Sequence, residues 1–99
     1  MTSVSPQMHV SELPADIRAR IIADYGAESL FEITSELCRY RGPERDRVIR
    51  CILHLAAGDR AGLADNLSLA QVDYRDVIWG AEYEGGADRL RSFSEPFTK

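Results

Sequence analysis

Apolar residues recur every three or four positions in five consecutive segments, and this spacing decides most of what the chain can form. The segments cover about Pro14–Tyr25, Glu28–Tyr40, Pro43–Ala57, Arg60–Gln71 and Tyr74–Tyr83. Such a period places the apolar side chains on one face of an α-helix. No segment shows the sustained alternation and β-branched content that are typical of a strand. The sequence therefore predicts an all-α fold.

Glycine, proline and aspartate separate the predicted helices. Gly26, the pair Gly42-Pro43 and Gly58 stand where helices are expected to end. Asp59 and Asp73 each precede the next segment, where a carboxylate can accept hydrogen bonds from the free amides of a helix start. Short connections favour antiparallel neighbours, so we expect a compact bundle of four to five short helices.

The two ends of the chain lack this period. Residues 1–10 are rich in Ser, Thr, Pro and Gln and are expected to form a loose, flexible arm. Residues 11–86 are expected to form one helical domain, because a chain of 99 residues can bury one modest core. Residues 87–99 are expected to form an extended or mobile tail. Within the domain, the most apolar segment is the third, which predicts a central helix.

Composition narrows the class of protein. The chain is 44% hydrophobic and 28% charged, with a formal net charge of -4, which is ordinary for a globular domain. An acidic balance disfavours broad binding to nucleic acid or to an anionic membrane, since both require a positive field. The sequence offers neither an apolar run long enough for a membrane span nor a secretory signal. We expect a cytoplasmic protein in which Cys38 and Cys51 are free, buried thiols.

Cys51 and His54 lie three residues apart on the third predicted helix and could face the same way. With Cys38 they would supply three zinc ligands, but structural zinc normally needs four, and the fourth would have to be His9 in the arm. As a nucleophile and base they lack an orienting partner and an oxyanion site. We therefore expect no catalytic residue, metal or cofactor. A small enzyme or ligand binder that uses Cys51, His54 and Tyr40 in a pocket between helices stays open as an alternative.

Four carboxylates near the fifth predicted helix could suggest a metal or acid–base cluster. Asp73 and Asp76 are explained more simply by the stabilisation of a helix start. Glu82 and Glu84 stand at the far end of the same helix, too distant to converge with them. Helix capping accounts for this spacing.

The strongest basic region spans the link between the second and third predicted helices. It is interrupted by Glu44 and by Asp46, and Asp46 is spaced to pair with Arg50. A solvated face with internal ion pairs is the simplest interpretation. A surface that steers a partner, or a nucleic-acid accessory protein, stays open as an alternative. The candidate basic patch comprises Arg39, Arg41, Arg45, Arg47 and Arg50.

An aromatic set near the C-terminal end is the feature that most favours a function. One short helix cannot bury all of these side chains on a single face, so either the tail folds back over Trp79 and Tyr83 or a second subunit covers them. Aromatic side chains are typical of interface centres. The candidate interface comprises Tyr74, Trp79, Tyr83, Phe93 and Phe97. The leading hypothesis is a non-enzymatic interaction or regulatory protein whose partner is either another protein or a second copy of itself, in a homodimer through the fifth helix.

Part of the second half of the chain carries a family resemblance. The stretches Leu53–Asp59, Asp73–Ile78 and Ala81–Tyr83 resemble a family of small uncharacterised bacterial all-helical proteins. The resemblance implies a bacterial, cytoplasmic protein. It implies no activity and transfers no catalytic residue.

Overall fold

The structure, a computed structural model, describes residues 13–97, in which four α-helices follow one another through short turns. They are α1 (Ala15–Tyr25), α2 (Leu30–Leu37), α3 (Arg45–Ala56) and α4 (Arg60–Ile78). A 3₁₀ turn, Ala27–Ser29, leads into α2, and a π-helical turn, Trp79–Tyr83, extends α4. The described residues contain no strand, which confirms the all-α prediction. The predicted arm lies outside them.

Helix α3 is buried on most of its circumference, as its apolar sequence predicts. Its buried residues are Val48, Ile49, Arg50, Cys51, Ile52, Leu53 and Ala56. The other helices add apolar residues to the same core, among them Ile17, Ile21, Ile33, Leu37, Leu63 and Leu67. None of the helices between residues 13 and 97 combines the length and apolar character that a bilayer crossing requires.

Aspartates begin two of the helical pieces, in the positions that the sequence indicates. The Asp59 carboxylate accepts a hydrogen bond from the Gly62 N–H at 2.9 Å and caps α4. Inside α4, Asp73 leaves the helical conformation (φ -153°, ψ 95°), and its carboxylate accepts the Arg75 N–H at 3.1 Å. The predicted boundary between a fourth and a fifth helix is therefore a kink within α4, because Asp73 restarts the helix without a connecting loop.

The chain after the π-helical turn runs along the bundle without regular secondary structure. Phe93 is 8% exposed and belongs to the core. Its ring centroid lies 5.1 Å from that of His54 in α3 and 5.6 Å from that of Phe97. The guanidinium carbon of Arg20 in α1 lies 4.8 Å from the Phe97 centroid. The tail therefore packs on α1 and α3.

Candidate functional site

Glu82 is the most extensively bonded side chain among the described residues, and the π-helical turn places it inside the bundle at 0% exposure. Arg47 donates to its two carboxylate oxygens at 2.9 and 2.7 Å, and Arg89 donates at 3.0 Å. The backbone N–H of Phe93 donates a further bond at 2.8 Å. Burial by itself would raise the pKa of Glu82, but the bonds from Arg47, Phe93 and Arg89 lower it to about 2.

A second arginine–carboxylate cluster lies between α1, α3 and the tail. Arg50 donates to the Asp16 carboxylate at 2.8 and 3.2 Å and to the carbonyl oxygen of Phe93 at 3.1 Å. The backbone N–H of Phe97 also donates to Asp16, at 3.0 Å. Burial by itself would raise the pKa of Asp16, but the hydrogen bonds from Arg50 and from the Phe97 amide hold that pKa below its usual value. The two clusters fasten the tail to the helices.

These clusters divide the candidate basic patch. Arg47 and Arg50 are neutralised by Glu82 and Asp16. The prediction of an ion pair between Asp46 and Arg50 is wrong. Arg50 binds the carboxylate of Asp16, which is more buried than that of Asp46, and Asp46 pairs with Arg45 at 3.2 Å. The two remaining members of the patch, Arg39 and Arg41, are exposed.

Arg39 and Arg41 line one shallow groove of about 260 Å³ between the α2–α3 loop and α4. Between them, Tyr40 points inward, and its hydroxyl donates to the carbonyl oxygen of Pro43 at 2.7 Å. A Cβ at Gly42 would lie 2.6 Å from the Tyr40 hydroxyl, so the loop requires glycine there. The opposite wall is formed by Ala70, Gln71, Val72 and Tyr74. We call this feature the arginine groove.

The structure separates the members of the candidate interface. Phe93 is in the core, and Phe97, itself part of the tail, is half-buried against Phe93 and Arg20, so neither forms one exposed surface with Trp79. Tyr74 and Tyr83 are half-buried. Trp79 remains 50% exposed, and its indole N–H donates to the carbonyl oxygen of Gly86 at 3.0 Å. Of the five aromatic residues, Trp79 is the most exposed to solvent.

Trp79 is the first residue of the π-helical turn that follows α4, and Val72, the last residue before the kink at Asp73, is 85% exposed. Between the two lie Arg75 and Asp76, both exposed. Arg75 has a long contact of 3.4 Å to Asp73, and Asp76 has no cationic partner between residues 13 and 97. We call Val72, Arg75, Asp76 and Trp79 the α4 face.

The residues considered for catalysis do not share a cavity. Cys51 is fully buried and His54 packs against Phe93, whereas Tyr40 lines the arginine groove on another part of the bundle. Burial, together with the charge of Glu82, raises the pKa of the Cys51 thiol to about 12. Burial and the charge of Arg91 lower the pKa of His54. In the part of the chain that the structure describes, no three His, Cys, Asp or Glu side chains are grouped to hold a metal.

The buried thiol gives a direct prediction. In a Cys38→Ser variant, labelling of Cys51 by a thiol reagent at neutral pH is expected to be at least ~100-fold slower in the native protein than in denaturant, because thiolate is scarce and access is closed. The rate is measured from the absorbance of the released leaving group. A native rate close to the denatured one would instead support the alternative in which Cys51 and His54 form a reactive site.

Sequence reasoning missed Glu82 and Asp16 as partners of the buried arginines. The available indication was that Arg47 and Arg50 stand within the most apolar segment of the chain. An arginine that is buried by such a helix needs a carboxylate partner, since an unpaired buried charge is very costly. Nothing local in the sequence identifies which carboxylates those are.

Comparisons of this chain with protein-family models, with curated proteins and with solved structures found no match.

Proposed function

We propose that this chain is a non-enzymatic interaction protein that acts as a homodimer through the α4 face. The observation that carries the proposal is the half-exposed indole of Trp79, together with the exposed Val72, Arg75 and Asp76 that precede it in the chain. Large apolar side chains gain free energy when a partner removes them from water. A tryptophan flanked by a polar rim is typical of the centre of an interface.

The order of residues on the α4 face is self-complementary. Val72 and Trp79 are seven positions apart, and Arg75 and Asp76 stand midway between them. If two copies pack antiparallel about a two-fold axis at that midpoint, and Val72 faces the contact across the kink at Asp73, Val72 of each copy lies opposite Trp79 of the other. The same axis brings Arg75 opposite Asp76 twice. A two-fold interface must join a patch to itself in this way, so the second copy is the partner that fits best.

The two alternative functions have weaker support. An enzyme or ligand binder would need Cys51, His54 and Tyr40 around one pocket, but Cys51 is fully buried and the groove lined by Tyr40 includes neither Cys51 nor His54. A nucleic-acid accessory protein would need the whole basic patch, of which Arg47 and Arg50 are neutralised. The resemblance to small bacterial helical proteins, and the buried Cys38 and Cys51, which are not joined in a disulfide, support a bacterial, cytoplasmic setting, which belongs to this proposal.

The association state tests the proposal. Size-exclusion chromatography with light scattering, from micromolar to hundreds of micromolar, is expected to give twice the 11.1 kDa of the chain. Trp79→Ser is expected to weaken association at least ~10-fold with little change in unfolding, because it removes the central aromatic side chain. The matched control is Ile22→Ser, which changes a 40% exposed residue on α1. A monomer at every concentration would exclude the homodimer.

Charge reversal tests the arrangement. Arg75→Asp and Asp76→Arg are each expected to weaken the dimer, because each places like charges opposite one another twice. The double variant, and an equimolar mixture of the two single variants, restore opposite charges and are expected to restore association. If neither combination does so, the antiparallel two-fold arrangement is wrong.

A further inference from the structure

His54 is a titratable group that the tail covers. It lies in the last turn of α3, half-buried, with its ring centroid 5.1 Å from that of Phe93. Its imidazole makes no hydrogen bond with any residue between 13 and 97. A polar group that is withdrawn from water without a partner costs free energy, and the cost rises steeply if the group becomes charged. The covered imidazole is therefore far more stable in its neutral form.

The tail builds the surroundings of this imidazole. A pocket of about 320 Å³ lies beside His54, and every other residue that lines it belongs to the tail, among them Arg91, Phe93, Glu95 and Phe97. If residues 91–97 leave the bundle, these walls leave with them and the imidazole returns to water. The attachment of the tail and the protonation of His54 are therefore coupled.

The charges around His54 disfavour its protonated form. Arg91 acts on it from the tail and Arg20 from α1. Glu84 acts in the opposite direction but is bound to Arg91 at 2.7 Å, and Glu95, which lines the pocket, is exposed to water. Burial first, and then the two cations, lower the pKa of His54 while the tail is attached.

The tail is also the part of the described chain that is most easily detached. Residues 87–97 have no regular secondary structure, and Phe93 is the one buried residue among them. The helices instead share a continuous apolar core. Segments with few buried contacts open at a lower free energy than the core does, so the tail can leave while the bundle stays folded.

We infer that His54 is a pH-sensitive switch for the tail, in which protonation of its imidazole releases residues 91–97 from α1 and α3 while the four helices stay folded. The detached state binds the proton more tightly, because the imidazole is then in water and away from Arg91. The attachment is therefore at full strength above the ordinary histidine pKa of 6.5 and weakens as the pH falls toward ~5. The pKa values of Asp16 and Glu82 lie below the usual ones, so both carboxylates stay ionised over this range.

Amide hydrogen exchange, followed by NMR on the full chain, tests the inference. The reporters are the amides of Phe93 and Phe97, which donate to Glu82 and Asp16 while the tail is attached. Their protection factors, corrected for the intrinsic exchange rate at each pH, are expected to fall at least ~3-fold between pH ~7 and pH ~5. Amides in the middle of α3 are expected to keep theirs.

Three variants assign the effect to His54. His54→Gln removes the titrating group, so the protection of the two reporter amides is expected to become independent of pH over this range. His9→Gln, the same change at the other histidine of the chain, is the matched control and is expected to keep the wild-type dependence. Arg91→Gln removes the cation that acts most strongly on His54 and is expected to make the dependence shallower.

Three results would overturn the switch. One is protection of the reporter amides that does not change with pH in the wild type, and another is a pH dependence that His54→Gln leaves in place. The third is an equal loss of protection in the middle of α3, since the whole bundle would then be opening. The switch does not require a second copy, so a wild-type monomer removes the proposed homodimer and leaves this inference standing.

Discussion

Glu82→Gln is expected to lower the free energy of unfolding by about 3 kcal/mol, measured by urea denaturation at neutral pH. Glu82 is fully buried and accepts bonds from Arg47, Arg89 and the Phe93 amide. A glutamine leaves the charge of Arg47 without its main counterion and turns an N–H₂ group toward other donors. This loss is at the lower end of the range for a broken buried ion pair, because Arg47 keeps a hydrogen bond to Glu44 at 3.0 Å.

The matched control for this substitution is Glu84→Gln. Glu84 is two positions away and exposed, and it pairs with Arg91 at 2.7 Å. An exposed ion pair is worth at most ~1 kcal/mol, so the control is expected to change stability by less than that. Equal losses in the two variants would contradict the role of Glu82 as the bonded centre of the tail attachment.

The same carboxylate sets the pH dependence of stability. Because the pKa of Glu82 falls from 4.5 to about 2 on folding, the unfolded chain binds the proton first as pH decreases. The stabilisation is complete above pH ~4.5 and is lost toward pH ~2, by about 3 kcal/mol for a shift of this size. Asp16, whose pKa is also lowered, acts in the same direction. In Glu82→Gln the dependence between these pH values is expected to be shallower.

Phe93→Ala is expected to cost about 3 kcal/mol of unfolding free energy, in the range for buried aromatic residues. The side chain fills the space between His54 and Phe97, and its backbone is held at both ends by Glu82 and Arg50. Alanine keeps those backbone bonds but leaves a cavity. Urea denaturation gives the loss, and far-ultraviolet circular dichroism is expected to keep its helical signal.

Leu90→Ala is the control for the tail. Leu90 lies in the same segment but is 55% exposed, so its truncation is expected to cost well under 1 kcal/mol. If Phe93→Ala were as harmless as Leu90→Ala, the tail would contribute little to the core in solution.

The helices could be predicted because their determinants are local. The period of apolar residues sets which face of α3 and α4 is buried, and Asp59 and Asp73 mark the helix starts through bonds to amides two or three residues away. The predicted second helix extended to Tyr40, whereas α2 ends at Leu37. Tyr40 instead lies in the loop after α2, where its side chain is buried and its hydroxyl donates to the carbonyl oxygen of Pro43. Tertiary packing of Tyr40 decides that boundary.

The buried ion pairs could not be predicted because their partners are remote in sequence. Arg47 reaches Glu82 across 35 positions, and the Phe97 amide reaches Asp16 across 81. The inward position of Glu82 also depends on the π-helical turn, whereas a carboxylate near a helix end is normally exposed. Trp79 was identified from its aromatic character, but only the fold shows that Phe93 and Phe97 are covered while Trp79 is not.

The bond between Asp16 and the Phe97 amide has a kinetic consequence. Helical bundles with mostly local contacts fold fast, since few distant segments must meet before the barrier is crossed. Here the tail has to close a loop of 81 residues to reach Asp16 and one of 43 residues to reach Arg50. Closing loops of this length costs chain entropy before any contact repays it. We therefore expect the tail to dock late in folding, because its partners Asp16 and Arg50 lie on α1 and α3, which have to be in place first.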